Sequence, residues 1–78
     1  MTNLEKYDKL FLDAFRIPRE ELPGLKYRGI PAWDSVGHMD LMSAMEEAYG
    51  ISISTPDLLS FSSYEAGKAV LEKYGVEL

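Results

Sequence analysis

The sequence predicts an all-α domain: a small bundle of three main helices and one short helix, with a long first loop. Three observations support this expectation. Helix-start residues stand at Thr2, Asp34, Thr55 and Ser62, each ahead of apolar residues spaced three and four apart. Glycine follows two of these stretches, at Gly50 and Gly75, where a helix readily ends in the left-handed region. Alternation of apolar and polar residues is confined to Ile51, Ser52, Ile53 and Ser54, an extended piece that turns its isoleucines inward. At 78 residues the chain has room for a single domain, residues 1–78, burying about 60% of its unfolded surface.

Each element has its own signal. Thr2 and Glu5 form a capping box for the first helix. Leu4, Tyr7, Leu10, Phe11, Ala14 and Phe15 then make one apolar stripe, which reads as core. This helix is expected to end near Arg16, because Pro18 disfavours helix at the residue before it. Residues 17–33 form a long connection containing Pro18, Pro23, Gly24, Gly29 and Pro31. Leu22, Leu25, Tyr27 and Ile30 are too apolar for a free linker and are expected to tuck under the helices, with one short turn of helix among them. Trp33 should anchor the end of this loop beside Ser35 by packing against the domain edge.

The central helix starts with Asp34 as N-cap and Ser35 at the first helical position. Leu41, Met42, Met45, Ala48 and Tyr49 are its buried stripe, and Gly50 is its stop. Val36, Met39, Ser43, Glu46 and Glu47 point broadly the other way. Thr55-Pro56-Asp57 starts the short helix, with proline at the first position and Leu58, Leu59 and Phe61 as its apolar residues. Ser62 to Glu65 reads as a second capping box, and the last helix runs to about Tyr74. Ala66, Ala69, Val70 and Tyr74 would face inward, the small alanines leaving room in the core.

Composition narrows the function classes. There is no cysteine, so a disulfide framework and a thiolate metal site are both excluded, and any thiol chemistry must come from a prosthetic group. No apolar run is long enough to span a membrane and the N-terminus lacks a signal core, so the expectation is a cytoplasmic protein. The net charge is −5, and residues 33–67 contain no Lys or Arg. Asp34, Asp40, Glu46, Glu47, Asp57 and Glu65 make that half acidic, which argues against nucleic acid and for basic protein partners.

Ser35 places a hydroxyl at a helix N-terminus, where backbone N–H groups favour an anion, and a phosphodiester there would be well placed. Asp34-Ser35-Val36, then Asp40-Leu41, Met45-Glu46-Glu47 and Ile53, resemble the Asp-Ser-Leu motif and following helix of the acyl carrier proteins. The resemblance extends over essentially the whole chain. It implies an acyl-carrier-like bundle whose Ser35 is esterified with 4′-phosphopantetheine by a phosphopantetheinyl transferase. Acyl intermediates would then be held on the arm as thioesters for fatty-acid, polyketide or related biosynthesis, with part of the acyl chain accepted between the central and third helices. Such a protein is a non-catalytic monomer and a substrate of acyl-loading, condensing or acyl-transferring enzymes with basic docking surfaces. Val36 stands where the family has leucine, Gly37 costs the helix about 1 kcal/mol relative to alanine, and Trp33 and His38 lie outside the general motif.

Asp34, Val36, Met39, Asp40, Glu46 and Glu47 form the candidate partner face, two apolar side chains one turn apart among acids. His38, the only histidine, lies three residues after Ser35 and is expected at the surface or beside the attached arm. A serine hydrolase would use it as general base, but such a site also needs an orienting group and an oxyanion hole. Two further readings stay open: an aminoacyl or peptidyl carrier using the same arm, and a non-covalent interaction module that never gains it. The acidity and the absence of a Gly-Gly pair before Ser35 favour the acyl carrier.

Overall fold

The structure, a computed structural model, describes all 78 residues. The capping box at Thr2 forms in full: the Glu5 N–H donates to the Thr2 hydroxyl at 3.1 Å, and the Thr2 N–H donates to the Glu5 carboxylate at 2.8 Å. It starts α1, Asn3–Phe15, which ends with Arg16 in the left-handed region at φ 54°. The buried face of α1 is narrower than the sequence suggests. Tyr7, Phe11 and Phe15, four residues apart, are buried, whereas Leu4 and Ala14 are exposed. Three large rings in one row fill the contact without them.

The long connection carries the expected short turn, a 3-10 helix at Arg19–Glu21, and buries Leu22 and Leu25. It is then held by backbone pairing. The Tyr64 N–H donates to the Leu25 carbonyl at 2.8 Å, and the Tyr27 N–H donates to the Ser62 carbonyl at 2.9 Å, around an isolated antiparallel bridge between Lys26 and Ser63. Arg28, at φ 64°, turns the chain back so that its N–H reaches the Trp33 carbonyl at 2.9 Å.

Three more helices follow: α2, Ser35–Tyr49, α3, Thr55–Ser60, and α4, Tyr64–Lys73. Gly50 ends α2 at φ 63° and Gly75 follows α4 at φ 82°. The architecture is an all-helical bundle without strands, with α1 packed on α2 and α3 on α4. No helix is long and apolar enough to cross a membrane.

The starts of α3 and α4 each differ from expectation. Ser54 is the N-cap of α3, so Pro56 lies one place beyond the first helical position. The N-cap of α4 is Ser63, whose hydroxyl accepts from the Ala66 N–H at 2.9 Å. The capping role falls to Ser63 because the Ser62 carbonyl is engaged by the Tyr27 N–H, outside the helix.

The face of α4 that meets the core is Tyr64, Gly67, Val70 and Leu71, while Ala69 is exposed and Ala66 half-buried. The room expected opposite the alanines is not found. None of the four clefts of the molecule is lined by Ala66 or Ala69. Gly67 explains why: a Cβ there would lie 2.3 Å from the Tyr7 hydroxyl oxygen and 2.4 Å from the Phe61 ring, so those groups occupy the space. The Tyr7 hydroxyl donates to the Tyr64 carbonyl at 2.6 Å, and its burial raises the phenol well above its ordinary range.

Asp57 ties α3 to the end of α4. Its carboxylate accepts from Lys73 Nζ at 2.5 Å, from the Tyr74 hydroxyl at 2.6 Å and from the Ser54 hydroxyl at 3.1 Å. The Lys73 and Tyr74 hydrogen bonds, in that order, lower its carboxyl to about 2.

Candidate functional site at the start of α2

Asp34 caps α2 as the sequence predicts. Its Oδ1 accepts from the Gly37 N–H at 2.8 Å, and its backbone carbonyl accepts from the His38 N–H at 2.8 Å. The N–H groups of Ser35 and Val36 donate to no other group of the chain, and both residues are exposed. Gly37 has a packing reason that outweighs its helix cost. A Cβ there would come within 2.0 Å of the Ala32 carbonyl oxygen, so the end of the long loop passes directly over the first turn of α2.

Trp33 does anchor this loop, but in the centre of the molecule rather than at its edge. It is wholly buried, with the rings of Phe11 and Phe15 each 5.4 Å from its own. His38 is likewise not a surface residue. Its ring is stacked against Trp33, centroids 6.1 Å apart, and only 8% of the residue is exposed. The Trp33 Nε1–H donates to His38 Nδ1 at 2.9 Å, so Nδ1 must carry the lone pair. The proton therefore sits on Nε2, which donates to the Leu58 carbonyl at 2.9 Å and satisfies a backbone oxygen near the end of α3. Both ring nitrogens are engaged away from Ser35. The signal for this burial was present in the spacing: His38 precedes Leu41 by three residues and Met42 by four, and so continues the inner stripe.

The side-chain partner of Ser35 is Tyr27, which sequence reasoning placed only in the loop. The two hydroxyl oxygens are 3.2 Å apart, and either can donate. The Arg28 guanidinium carbon lies 5.7 Å from the Tyr27 ring centre. The Ser35 hydrogen bond first, and Arg28 second, hold the Tyr27 phenol below its ordinary value. Two clefts are lined by residues of this region, and Tyr27 lines one of them. One, of about 130 Å³, is lined by Tyr27, His38, Leu59, Phe61 and Ser62. The other, of about 330 Å³, is lined by Arg28, Gly29, Ile30, Pro31, Trp33 and Asp34.

Of the residues expected on the partner face, Asp34, Val36, Met39, Asp40 and Glu47 are exposed, Val36 to 70% and Met39 to 51%. Leu59 of α3, exposed to 72%, is a further apolar side chain at the surface, and it borders the cleft that Tyr27 lines. Glu46 behaves differently from expectation. It is half-buried, and its carboxylate accepts from the Ile53 N–H at 2.7 Å, pinning the α2–α3 connection. The chain's return after Gly50 brings that backbone donor to Glu46. Comparison with protein-family models, with curated proteins and with solved structures finds no match for this chain.

Proposed function

We propose that this chain is a carrier domain of the acyl carrier type: Ser35 is esterified with 4′-phosphopantetheine, and acyl intermediates are held on the arm as thioesters. The observation that carries the reading is the exposed Ser35 hydroxyl at the first position of a 15-residue helix, with two unpaired N–H groups at the same turn and the Tyr27 hydroxyl beside it. These donors, with the Arg28 cation next to Tyr27, suit a singly charged phosphodiester. The helical bundle and its long first loop agree with the arrangement the resemblance implies.

Loading is a group transfer from coenzyme A. The Ser35 Oγ–P bond forms as a P–O bond of the pyrophosphate breaks. The adenosine 3′,5′-bisphosphate portion leaves, and the serine proton passes to a base of the phosphopantetheinyl transferase. The arm brings a thiol, which this chain lacks, and that thiol holds the acyl group. The chain itself exposes the serine oxygen and offers donors to the resulting anion. His38 is committed to Trp33 and Leu58 and is turned away from Ser35 as a general base, in keeping with a serine that is acted upon. Val36 and Met39, with Asp34, Asp40 and Glu47 around them, supply the docking face for partner enzymes with basic surfaces.

The test is intact mass after incubation with a broad-range phosphopantetheinyl transferase and coenzyme A. The wild type should gain one arm. Ser35→Ala should gain none and remain folded, since alanine is a good helix former. A wild type that stays unmodified where a known carrier is loaded would replace the carrier reading with a non-covalent interaction module.

A further inference from the structure

The Tyr27 hydroxyl is delivered to Ser35 by a stiff mount. The Tyr27 N–H is fixed to the Ser62 carbonyl at 2.9 Å, and the residues before it are paired to the start of α4. Its ring meets the rings of His38 and Trp33 edge-on, centroids 5.4 and 6.5 Å away. Arg28, directly after it, holds a positive φ of 64° that non-glycine residues adopt at a cost. A phenol this constrained contributes little to the fold through its hydroxyl, whose partner is the exposed Ser35. The hydroxyl is thus placed for Ser35 rather than for the core.

We propose that Tyr27 is a positioning residue for Ser35: its hydroxyl fixes the serine oxygen before modification and donates to the phosphodiester afterwards. This rests on the reading of Ser35 as the attachment site. Before modification either oxygen can donate. Once the Ser35 oxygen is bonded to phosphorus it has no proton, so Tyr27 becomes the only possible donor of the pair. The phosphodiester carries a negative charge, and Tyr27 keeps its proton against it. Arg28, close to the same ring and the last cation before Lys68, offsets that charge from the loop side. The phosphate end of the arm would thereby be held beside Tyr27, next to the cleft that Tyr27 lines, instead of swinging freely from Ser35.

The experiment combines two readouts on the same variants. Phenol titration by NMR of protein labelled at tyrosine Cζ should give Tyr27 a lower midpoint in the unmodified wild type than in Ser35→Ala. The midpoint should rise when the arm is attached, because the serine donor is lost and a negative charge gained. Tyr27→Phe keeps the ring contacts and should stay folded. It should lower kcat/KM for loading about three- to tenfold, the worth of one neutral hydrogen bond, and shift the ³¹P resonance of the attached phosphodiester. Arg28→Asn, which tolerates the positive φ, should shift the same resonance and leave the unmodified Tyr27–Ser35 contact in place. A loaded protein whose ³¹P resonance and Tyr27 titration are indifferent to Tyr27→Phe and to modification overturns this inference alone. A wild type that takes no arm overturns both this inference and the reading it rests on.

Discussion

The first turns of α2 and α4 are capped alike. Asp34 accepts from the Gly37 N–H at 2.8 Å, and Ser63 accepts from the Ala66 N–H at 2.9 Å. Each turn also carries a glycine that something else crosses closely. At α4 the crossing groups are side chains from elsewhere in the fold, Tyr7 of α1 and Phe61 after α3. Backbone pairing with Leu25 and Lys26 ties down Tyr64 and Ser63 at the start of α4. At α2 the crossing group is the Ala32 carbonyl of the chain's own approach, and the opposite side stays open, with Ser35 and Val36 exposed. The same capping chemistry therefore serves packing at one helix and presents a hydroxyl at the other. What separates them is whether tertiary partners cover the turn, a property that capping residues do not encode.

The largest test of this contrast is alanine at each glycine. Gly67→Ala should cost about 1–3 kcal/mol, because Tyr7 and Phe61 are wholly buried and cannot withdraw without disturbing the core. Gly37→Ala should cost at least as much, because the obstacle is the Ala32 backbone carbonyl, 2.0 Å from the added Cβ and tied to the wholly buried Trp33, so the roughly 1 kcal/mol of helix propensity that alanine returns offsets only part of the clash. Urea midpoints would rank the two. A much smaller loss at Gly37 would mean that the Ala32 segment yields and that Trp33 does not hold the loop end over the α2 turn.

A smaller effect separates Glu46 from its neighbour. Glu46→Ala should cost about 1 kcal/mol through the lost Ile53 bond, whereas Glu47→Ala should change stability by less than about 0.5 kcal/mol. Glu47 is thus the cleaner probe of docking. Glu47→Lys should slow loading of Ser35, with the slowing relieved by salt, and reversal of the exposed Glu72 on α4 should not. If Glu72→Lys slows loading equally, net charge rather than a docking face is responsible.

A further effect concerns acid. Asp57 has its carboxyl lowered from 3.8 to about 2 in the folded chain, so its contribution is full above 3.8 and is lost as pH falls through about 2. Lys73, raised by the same pair, contributes below the ordinary lysine value and loses its contribution as pH rises past its folded value. Denaturation midpoints of the wild type should fall across that acid window, and Asp57→Asn should flatten this part of the profile. An unchanged acid slope in Asp57→Asn would assign the loss to other carboxylates.

These contrasts also explain what was legible in the sequence. The helices could be read because their signals are local: the Thr2–Glu5 box, Asp34 before Ser35, and Gly50 and Gly75 as stops. The inner stripe of α2 was legible from spacing, and His38 lies on it, but its polarity masked a burial that depends on Trp33 and the Leu58 carbonyl. Gly67 was passed over for the neighbouring alanines, since only the approach of Tyr7 and Phe61 gives a missing side chain meaning. Tyr27 reaches Ser35 through pairing between a loop and the α3–α4 junction, and no periodicity reports such a contact.

The central claim is that Ser35 is the residue that takes the arm. Because no Lys or Arg lies between Arg28 and Lys68, trypsin releases residues 29–68 as one peptide containing seven serines, so intact mass alone does not locate the modification. Fragment-ion mass spectrometry of that peptide, after incubation with transferase and coenzyme A, measures the position directly. The expected result is a single phosphopantetheine whose mass first enters the fragment series at Ser35. An unmodified peptide, or an arm placed on Ser43, Ser54, Ser62 or any other serine, would contradict the account.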